Sequence, residues 1–513
     1  MSRIFAVFGS LAGFSNMKKY CKKNIAKYIF TFDDLYDILS NGQAVHRIKF
    51  SARHGRKINI KREMYFMSNK NEAIYDASKL GGGKMLVLGI QHMFAMFGAT
   101  VLVPIITGLS VSATLLFAGI GTILFHLLTK RRVPAFLGSS FAFLGGYAAI
   151  SELCAQNGID NFSAYAGLGV ALAGILYVIL SILFKVFGAK KVMRFFPPIV
   201  TGPIIIAIGL TLSSSAITNC SANWWIAIVA IAVIIVCNIW GKGMIKIIPI
   251  LMGVVISYLV AAVTSNVDFT AVKEAAWIGL PVKWNDTAFS LIGSANPSIV
   301  ITSIITIVPI AIATIIEHIG DVCAISSTVD RNFIEDPGLH RTLLGDGLAT
   351  SLAALFGAPA NTTYGENTGV LALTKVYDPR VIRIAAYFAI LFSFSPKFAA
   401  LINSMPTAVV GGVSLVLYGM ISAVGVRNVV ENKVDFTKSR NVIIAAIILV
   451  LSIGIKYYDP SGAVSFTLGS VTISLSGLAV AALVGILLNA VLPGKDYEFG
   501  KDLQGDTSVD FKV

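Results

Sequence analysis

The feature that most constrains this chain is the recurrence of long apolar runs broken only by glycine, proline and short charged stretches. A helix of about 20 apolar residues spans the hydrocarbon core of a bilayer. Such runs fall at roughly 85–107, 111–129, 135–153, 163–188, 197–217, 223–241 and 245–265, and again at 298–320, 342–357, 360–376, 381–402, 405–426, 440–456 and 475–493. Only 13% of the residues are charged, where a soluble globular chain carries about 25%. The expected fold is an all-α polytopic membrane protein with fourteen transmembrane segments embedded in the lipid bilayer. The stretch 457–474 is assigned to no span.

Charge sets the expected orientation. Residues 1–80 carry 15 Lys/Arg against 6 Asp/Glu. A basic flank beside membrane spans is a cytoplasmic topology signal, which accounts for this charge without a nucleic-acid partner. With the N-terminus inside, the clusters Lys130, Arg131, Arg132; Lys190, Lys191, Arg194; Lys242, Lys246; Arg331, Arg341; Lys375, Arg380, Arg383; and Arg427, Lys433, Lys438, Arg440 all fall on the inner side. Both termini are then cytoplasmic. The expected organisation is a basic N-terminal segment 1–80, a first set of spans 81–265, an extracellular loop 266–296, a second set 297–493 and a tail 494–513. Residues 4–14 look like a short signal core but lack its flanks. Met67 opens a short leader into the first span, so residues 1–66 are expected to be dispensable or a mis-assigned start. The five cysteines show no CxxC spacing. The sequence implies neither a metal nor a cofactor, and no HExxH, P-loop or GxSxG motif supports protease, ATPase or lipase chemistry.

Two clusters of carboxylates stand at membrane depth, where each costs about 2.5–3.5 kcal/mol on insertion scales and usually serves function. Glu317, His318 and Asp321 end one apolar run; Glu366 sits among small polar residues in APANTTYGENTGV. Glu317 and Asp321 are i, i+4 on one helix face and resist joint ionisation in low dielectric, which suits proton uptake. Carboxylates also accept hydrogen bonds from ring N–H groups, so Glu317 and Glu366 could clamp a planar amide-bearing ring. Capping or interhelical bonding is the plainer alternative for each. His318 and His92 read as packing residues or proton carriers, and Gln91 as a substrate ligand or a helix bridge. Asp346 reads as structural.

An internal correspondence strengthens the functional reading. Gln91–His92 precedes Glu317–His318 by 226 residues, and Pro134 precedes Pro359 by 225. Small hydroxyl residues follow each proline (Ser139 and Ser140; Thr362 and Thr363), and Phe141 and Glu366 stand seven residues after them. Seven spans per half is odd, so the halves form a 7+7 inverted repeat, a transporter pattern that puts the site where its interrupted segments meet. Spans three and ten are expected to hold short extended stretches, with half-helices beginning near Ser140 and Gly365. Their free N–H groups at positive dipole ends suit carbonyl or anionic groups of a small substrate. An ordinary Gly/Pro kink is the alternative.

QHMFAMFGATVLVP (91–104), PAFLGSSFAFL (134–144), EHIGD (317–321), DPGLHR (336–341) and NTTYGENTGVLALTK (361–375) together resemble the motifs of the nucleobase–ascorbate transporter family, most closely its bacterial uracil permease branch. Asn367, Gly369, Thr374 and Lys375 match the family signature, and the resemblance covers about residues 80–495. It implies a core domain (spans 1–4 and 8–11), a gate domain (5–7 and 12–14), an elevator-type movement of one against the other, proton–uracil symport at the cell membrane and a homodimer. It further implies that Glu317 and Glu366 bind the pyrimidine ring, with backbone near Phe141, Tyr364 and Gly365 completing the pocket. One departure stands out. Asp321 occupies the position at which the uracil permease pattern has a histidine tied to proton coupling, and other branches, purine transporters among them, carry an acid there. TTYGEN favours uracil. Expected substrate ligands are therefore Glu317, Glu366, Phe141, Tyr364, Gly365, Gln91 and Ser140, with Asp321, Glu317 and His318 in proton coupling. A purine (xanthine or urate) symporter is the first alternative; an anion exchanger and a membrane-embedded enzyme follow.

Overall fold

The computed structural model describes residues 73–495 except 243, 265–266, 459–462 and 469–470. The expectations for residues 1–66 and for most of the tail lie outside the described residues. Each of the fourteen apolar runs contains helix. The first group comprises α1 (Gly82–Thr107), α2 (Val111–Leu128), a three-residue strand β1 (Leu137–Ser139), α3 (Leu144–Gln156), α4 (Phe162–Phe187), α5 (Pro198–Ser221), α6 (Trp224–Ile239) and α7 (Pro249–Val263). The second comprises α8 (Pro297–Ile307), α9 (Ile310–Val329), α10 (Leu339–Leu355), strand β2 (Asn361–Thr363), α11 (Gly365–Thr374), α12 (Pro379–Ser393), α13 (Pro396–Asn403), α14 (Thr407–Glu431), α15 (Ser439–Tyr458), a hairpin of β3 (Ala463–Leu468) and β4 (Val471–Ser476), and α16 (Gly477–Val491). Among the described residues, 7 helices are long and apolar enough to cross a membrane, or 8 if the bent pair α12–α13 is one span.

Local chemistry explains most boundaries. Ser110, Asn223, Asn296, Ser395 and Ser476 cap the helices that follow them, each side chain accepting an N–H of the first turn, as short oxygen-bearing residues do at N-caps. Gly108 closes α1 in the left-handed region at φ 76°, where a residue without Cβ meets no steric penalty. Pro396 opens α13, and the chain turns 90° between α12 and α13.

Small residues set the closest crossings. A Cβ on Gly174 of α4 would stand 2.5 Å from the backbone oxygen of Gly347 in α10 and would collide with Ser351. A Cβ on Gly209 of α5 would meet the backbone of Tyr418 in α14. Such contacts let helix backbones approach in lipid, where hydrophobic driving force between helices is absent. The outer side of α4 shows the complementary pattern: Ile175, Ile179, Ile182 and Val186 recur at helical spacing and are exposed, as a lipid-facing stripe should be. Two packing groups result. α4 lies along α10, and α2 contacts both α10 and α12; separately, α14 lies along α5 and also packs on α6, while α15 packs on α16 and α5.

Three local expectations are corrected. The helix after β1 begins at Leu144 rather than near Ser140, because residues 140–143 form a turn in which Leu144 N–H bonds Phe141 O. The eighth span, expected to end near 320, continues to Val329, so the acidic pair that closes its apolar run lies mid-helix in α9. The 457–474 stretch, assigned no element, contributes the β3–β4 hairpin, with Ala463 opposite Ser476 and Leu468 opposite Val471.

Gly174→Val is expected to lower the stability of the detergent-purified protein by about 2 kcal/mol or more through overpacking. A thermal unfolding midpoint equal to the parent's would contradict the close α4–α10 crossing.

Candidate functional site

Extended backbone deep in an apolar bundle must find every hydrogen bond within the protein. Here the two broken segments supply one another. β1 and β2 pair antiparallel, Leu137 opposite Thr363, Gly138 opposite Thr362 and Ser139 opposite Asn361. The ladder extends past both ends, with Ser140 N–H on Ala360 O (2.8 Å) and Tyr364 N–H on Phe136 O (3.0 Å). Side chains of the surrounding helices bond groups that the ladder leaves unpaired. The Thr122 hydroxyl accepts Leu137 N–H at 2.9 Å, Thr350 donates to Asn361 O at 2.7 Å, and Tyr147 accepts Ala360 N–H at 2.9 Å. Gly138 is obligatory: a Cβ there would sit 2.6 Å from the Tyr364 ring and 2.7 Å from the Thr100 hydroxyl. Tyr364 in turn donates to Ser139 O at 3.0 Å.

β2 runs directly into α11, whose first residue is Gly365. Its first-turn N–H groups lack intrahelical acceptors and carry the positive end of the helix dipole. Alongside stands α9. Asp321 Oδ2 accepts the Thr363 hydroxyl at 2.9 Å, and Asp321 Oδ1 lies 3.8 Å from where a Cβ of Gly365 would be. Thr363 also lies 3.4 Å from Nδ1 of His318. That nitrogen is 3.0 Å from Oδ2 of Asp346, and both side chains are fully removed from solvent. A polar series thus runs from Asp321 through Thr363 and His318 to Asp346.

A cavity of about 380 Å³ opens at this junction, within the usual range of small-molecule sites. Glu317 and Asp321 line it from α9, Phe141, Tyr364 and Gly365 from the ends of the ribbon, and Thr201, Ile205 and Met420 from α5 and α14. Its far end is polar, with Lys246, Arg427, Asn428 and Glu431. Arg427 and Glu431 pair at 2.5 Å, and Thr201 donates to Asn428 Oδ1 at 3.1 Å. The Phe141 ring meets Tyr418 edge-on, centroids 5.6 Å apart.

Of the residues expected at the site, Glu317, Asp321, Phe141, Tyr364, Gly365 and the signature Gly369 reach this cavity. Glu366 is the second residue of α11; its side chain lies outside the described residues. Gln91, His318 and Ser140 are buried and absent from the lining. Pro134 and Pro359 are buried beside the strands. Asn367 ties α11 to α1, donating from Nδ2 to His92 O at 3.1 Å, and Thr374 bonds Val370 O at the far end of α11. Sequence reasoning did not single out Thr363 as the link between Asp321 and His318, nor the His318–Asp346 pairing. The repeated Thr362–Thr363 hydroxyls were the available signal for the first; nothing local signals the second. Among the described residues, no group of His, Cys, Asp and Glu could hold a metal.

Residues 83–461 match the Permease family. The chain is 42% identical over 424 residues to a uracil permease of Bacillus caldolyticus, covering 80% of this chain and 93% of that protein. It is 39% identical over 435 residues to a uracil permease of Bacillus subtilis (strain 168), covering 82% and 94%. Its fold is similar to that of SLC26A9, with a TM-score of 0.56 at 10% identity, covering 86% of this chain and 72% of that one.

The polar series makes a ranked prediction. Thr363→Val should cost about 1–2 kcal/mol through one lost buried hydrogen bond. Asp346→Ala should cost about 3–5 kcal/mol by stranding its buried partner. Thermal unfolding of the two purified variants checks the order, and a reversed order would contradict it.

Proposed function

This chain belongs to the permease family of nucleobase–ascorbate transporters, and on that premise we propose that it takes up uracil across the cell membrane in symport with protons. The observation carrying the proposal is the cavity itself, where carboxylates of α9 meet the N-terminal end of α11 between two groups of helices. Uracil presents ring N–H donors and carbonyl acceptors around one planar ring. Glu317 and Glu366 accept the N–H groups; first-turn amides of α11 from Gly365 on and backbone near Phe141 donate to the carbonyls, with Tyr364 closing the pocket beside them. Charge-assisted bonds of this kind are roughly twice as strong as neutral ones. Gln91 and Ser140 act behind the lining, through the backbone of α1 and of the β1 turn. The substrate named for the Bacillus relatives supports uracil over other bases.

Asp321 is the proton acceptor. It stands against Gly365 and is bonded by Thr363, so its charge bears on the base-binding end of α11 at close range. Glu317 shares its helix face, and two such carboxylates favour holding one proton between them. His318 steadies the neutral and charged forms from behind.

Fourteen spans arranged as two inverted halves of seven complete the reading. The antiparallel pairing of β1 with β2, the two stretches matched at one sequence offset, supports the inversion. The two packing groups, with the cavity between them, support a core (spans 1–4 and 8–11) and a gate (5–7 and 12–14) that exchange access by an elevator-type movement. The polar end at Lys246 and Arg427 belongs to the side with the basic loops, which supports a cytoplasm-facing state with both termini inside. The active unit is a homodimer. A second reading, a xanthine or urate symporter, is favoured by the acid at position 321.

Cells expressing the protein should accumulate labelled uracil, and a protonophore should abolish accumulation; failure of either sinks the proposal, and inhibition by unlabelled xanthine but not uracil would select the second reading. Glu317→Gln and Glu366→Gln should each weaken uracil binding about 10- to 100-fold, the equivalent of a lost charged hydrogen bond. Asp321→Asn should flatten the pH dependence of uptake while retaining binding. Unaltered binding in the first two, or an unaltered pH profile in the third, would reassign the residue concerned.

A further inference from the structure

The short segment preceding α1 makes a set of contacts that membrane insertion alone does not call for. Ile74 forms a parallel bridge with Val376: its N–H bonds Lys375 O at 2.8 Å, and its carbonyl accepts Tyr377 N–H at 2.8 Å. The Tyr75 hydroxyl donates to Val329 O at 2.8 Å, and its ring lies under the Arg331 guanidinium, 4.3 Å away, and against Tyr377. Ala77 N–H bonds the buried Asp378 carboxylate at 2.8 Å, and Asp76 pairs with Arg380. Asp378 also caps α12. Burial alone would raise its pKa; bonds from Arg380 and Ala77 together outweigh that and hold the carboxyl below its ordinary value.

The partners are not scattered. Val329 and Arg331 flank the C-terminal end of α9, and Lys375 to Tyr377 follow the end of α11. These two helices carry Glu317 and Asp321, and Gly365 and Glu366. Each ends on a residue with a Cβ in the left-handed region, Asp330 at φ 54° and Lys375 at φ 54°. This is a common way for a helix to end, and the leader bonds the backbone beside both caps, through Val329 O and Lys375 O.

We propose that residues 74–77 are a positioning strap, which holds the far ends of α9 and α11 together so that their site-forming ends keep the spacing a planar base requires. This rests on the reading of α9 and α11 as the substrate-bearing helices. A basic flank acting only as a topology signal would need none of these bonds. α11 has 10 residues, so a tilt at its C-terminal end displaces Gly365 as well, and small misplacements at a binding site are expensive.

The test uses the full chain purified in detergent, comparing the parent with a Tyr75→Ala, Asp76→Ala double variant and with Lys79→Ala, a charge change on the same leader at an exposed residue. The double variant should raise the Kd for uracil about fivefold or more and speed hydrogen exchange across 366–374. Lys79→Ala should do neither. Because a strap mutation could impair folding, Tyr75→Phe is included: it keeps both ring contacts and drops only the bond to Val329, and should speed exchange at the end of α9 without loss of folded protein. Oxidation of Ile74→Cys with Val376→Cys in the double variant should restore parental exchange. A Kd within about twofold of the parent, together with unchanged exchange across 366–374, would overturn the strap. If the parent binds no uracil, the transport reading fails while the exchange comparison still decides the strap.

Discussion

The backbone pairing of β1 with β2 is the interaction on which the rest of the structure depends. Two proline-marked segments leave helical geometry in the middle of the bundle, and each unsatisfied N–H or C=O in hydrocarbon would cost several kcal/mol. Neither segment could survive there alone. Paired with Thr363 opposite Leu137, they become one short ribbon, and Thr122, Thr350 and Tyr147 bond backbone groups that the pairing leaves over. The ribbon fixes where the chain may return to helix. On one side that point follows the turn containing Phe141; on the other it is Gly365, and both residues therefore line the same cavity.

The apolar runs made the helices legible, because spans in lipid depend on local hydrophobicity more than on partners. The carboxylates at 317 and 321 and the prolines at 134 and 359 likewise pointed to the cavity and to the broken segments beside it, since each is costly in an apolar chain. What stayed hidden was whatever depends on the partner. Pro134 and Ser139 mark a break but not its length, which the pairing with residues 361–363 sets; hence α3 begins at Leu144 and not near Ser140. Asp346 carries no local sign that it will meet His318, since 28 residues and a change of helix separate them. The β3–β4 hairpin did leave a signal that the search for apolar spans passes over: Val464, Phe466 and Leu468, and then Val471, Ile473 and Leu475, alternate with Ser and Thr at the period of a strand. Gly174 and Gly347 look like any glycines in a membrane helix until the crossing of α4 and α10 brings them together.

Polar residues are buried throughout this bundle, but the carboxylates of α9 and α10 stand beside one ribbon, and that grouping has a physical reason. A lone buried carboxylate would have to neutralise or be expelled. Asp346 is tolerable because His318 faces it at 3.0 Å, and Asp321 because it opens onto a cavity and takes a hydroxyl donor from Thr363. Thr363 belongs to β2, which continues through Tyr364 into α11. Any change in the charge or orientation of Asp321 must be absorbed by Thr363, and Thr363 cannot shift without disturbing its register with Leu137 or the start of α11. On the proposed function this gives proton binding a mechanical route to the base-binding end of α11. On that proposal, the residue opposite Leu137 in the ribbon also carries the hydroxyl that joins Asp321 to the helix terminus. Coupling then requires no separate device: it follows from using one strand both to complete the ribbon and to present the site.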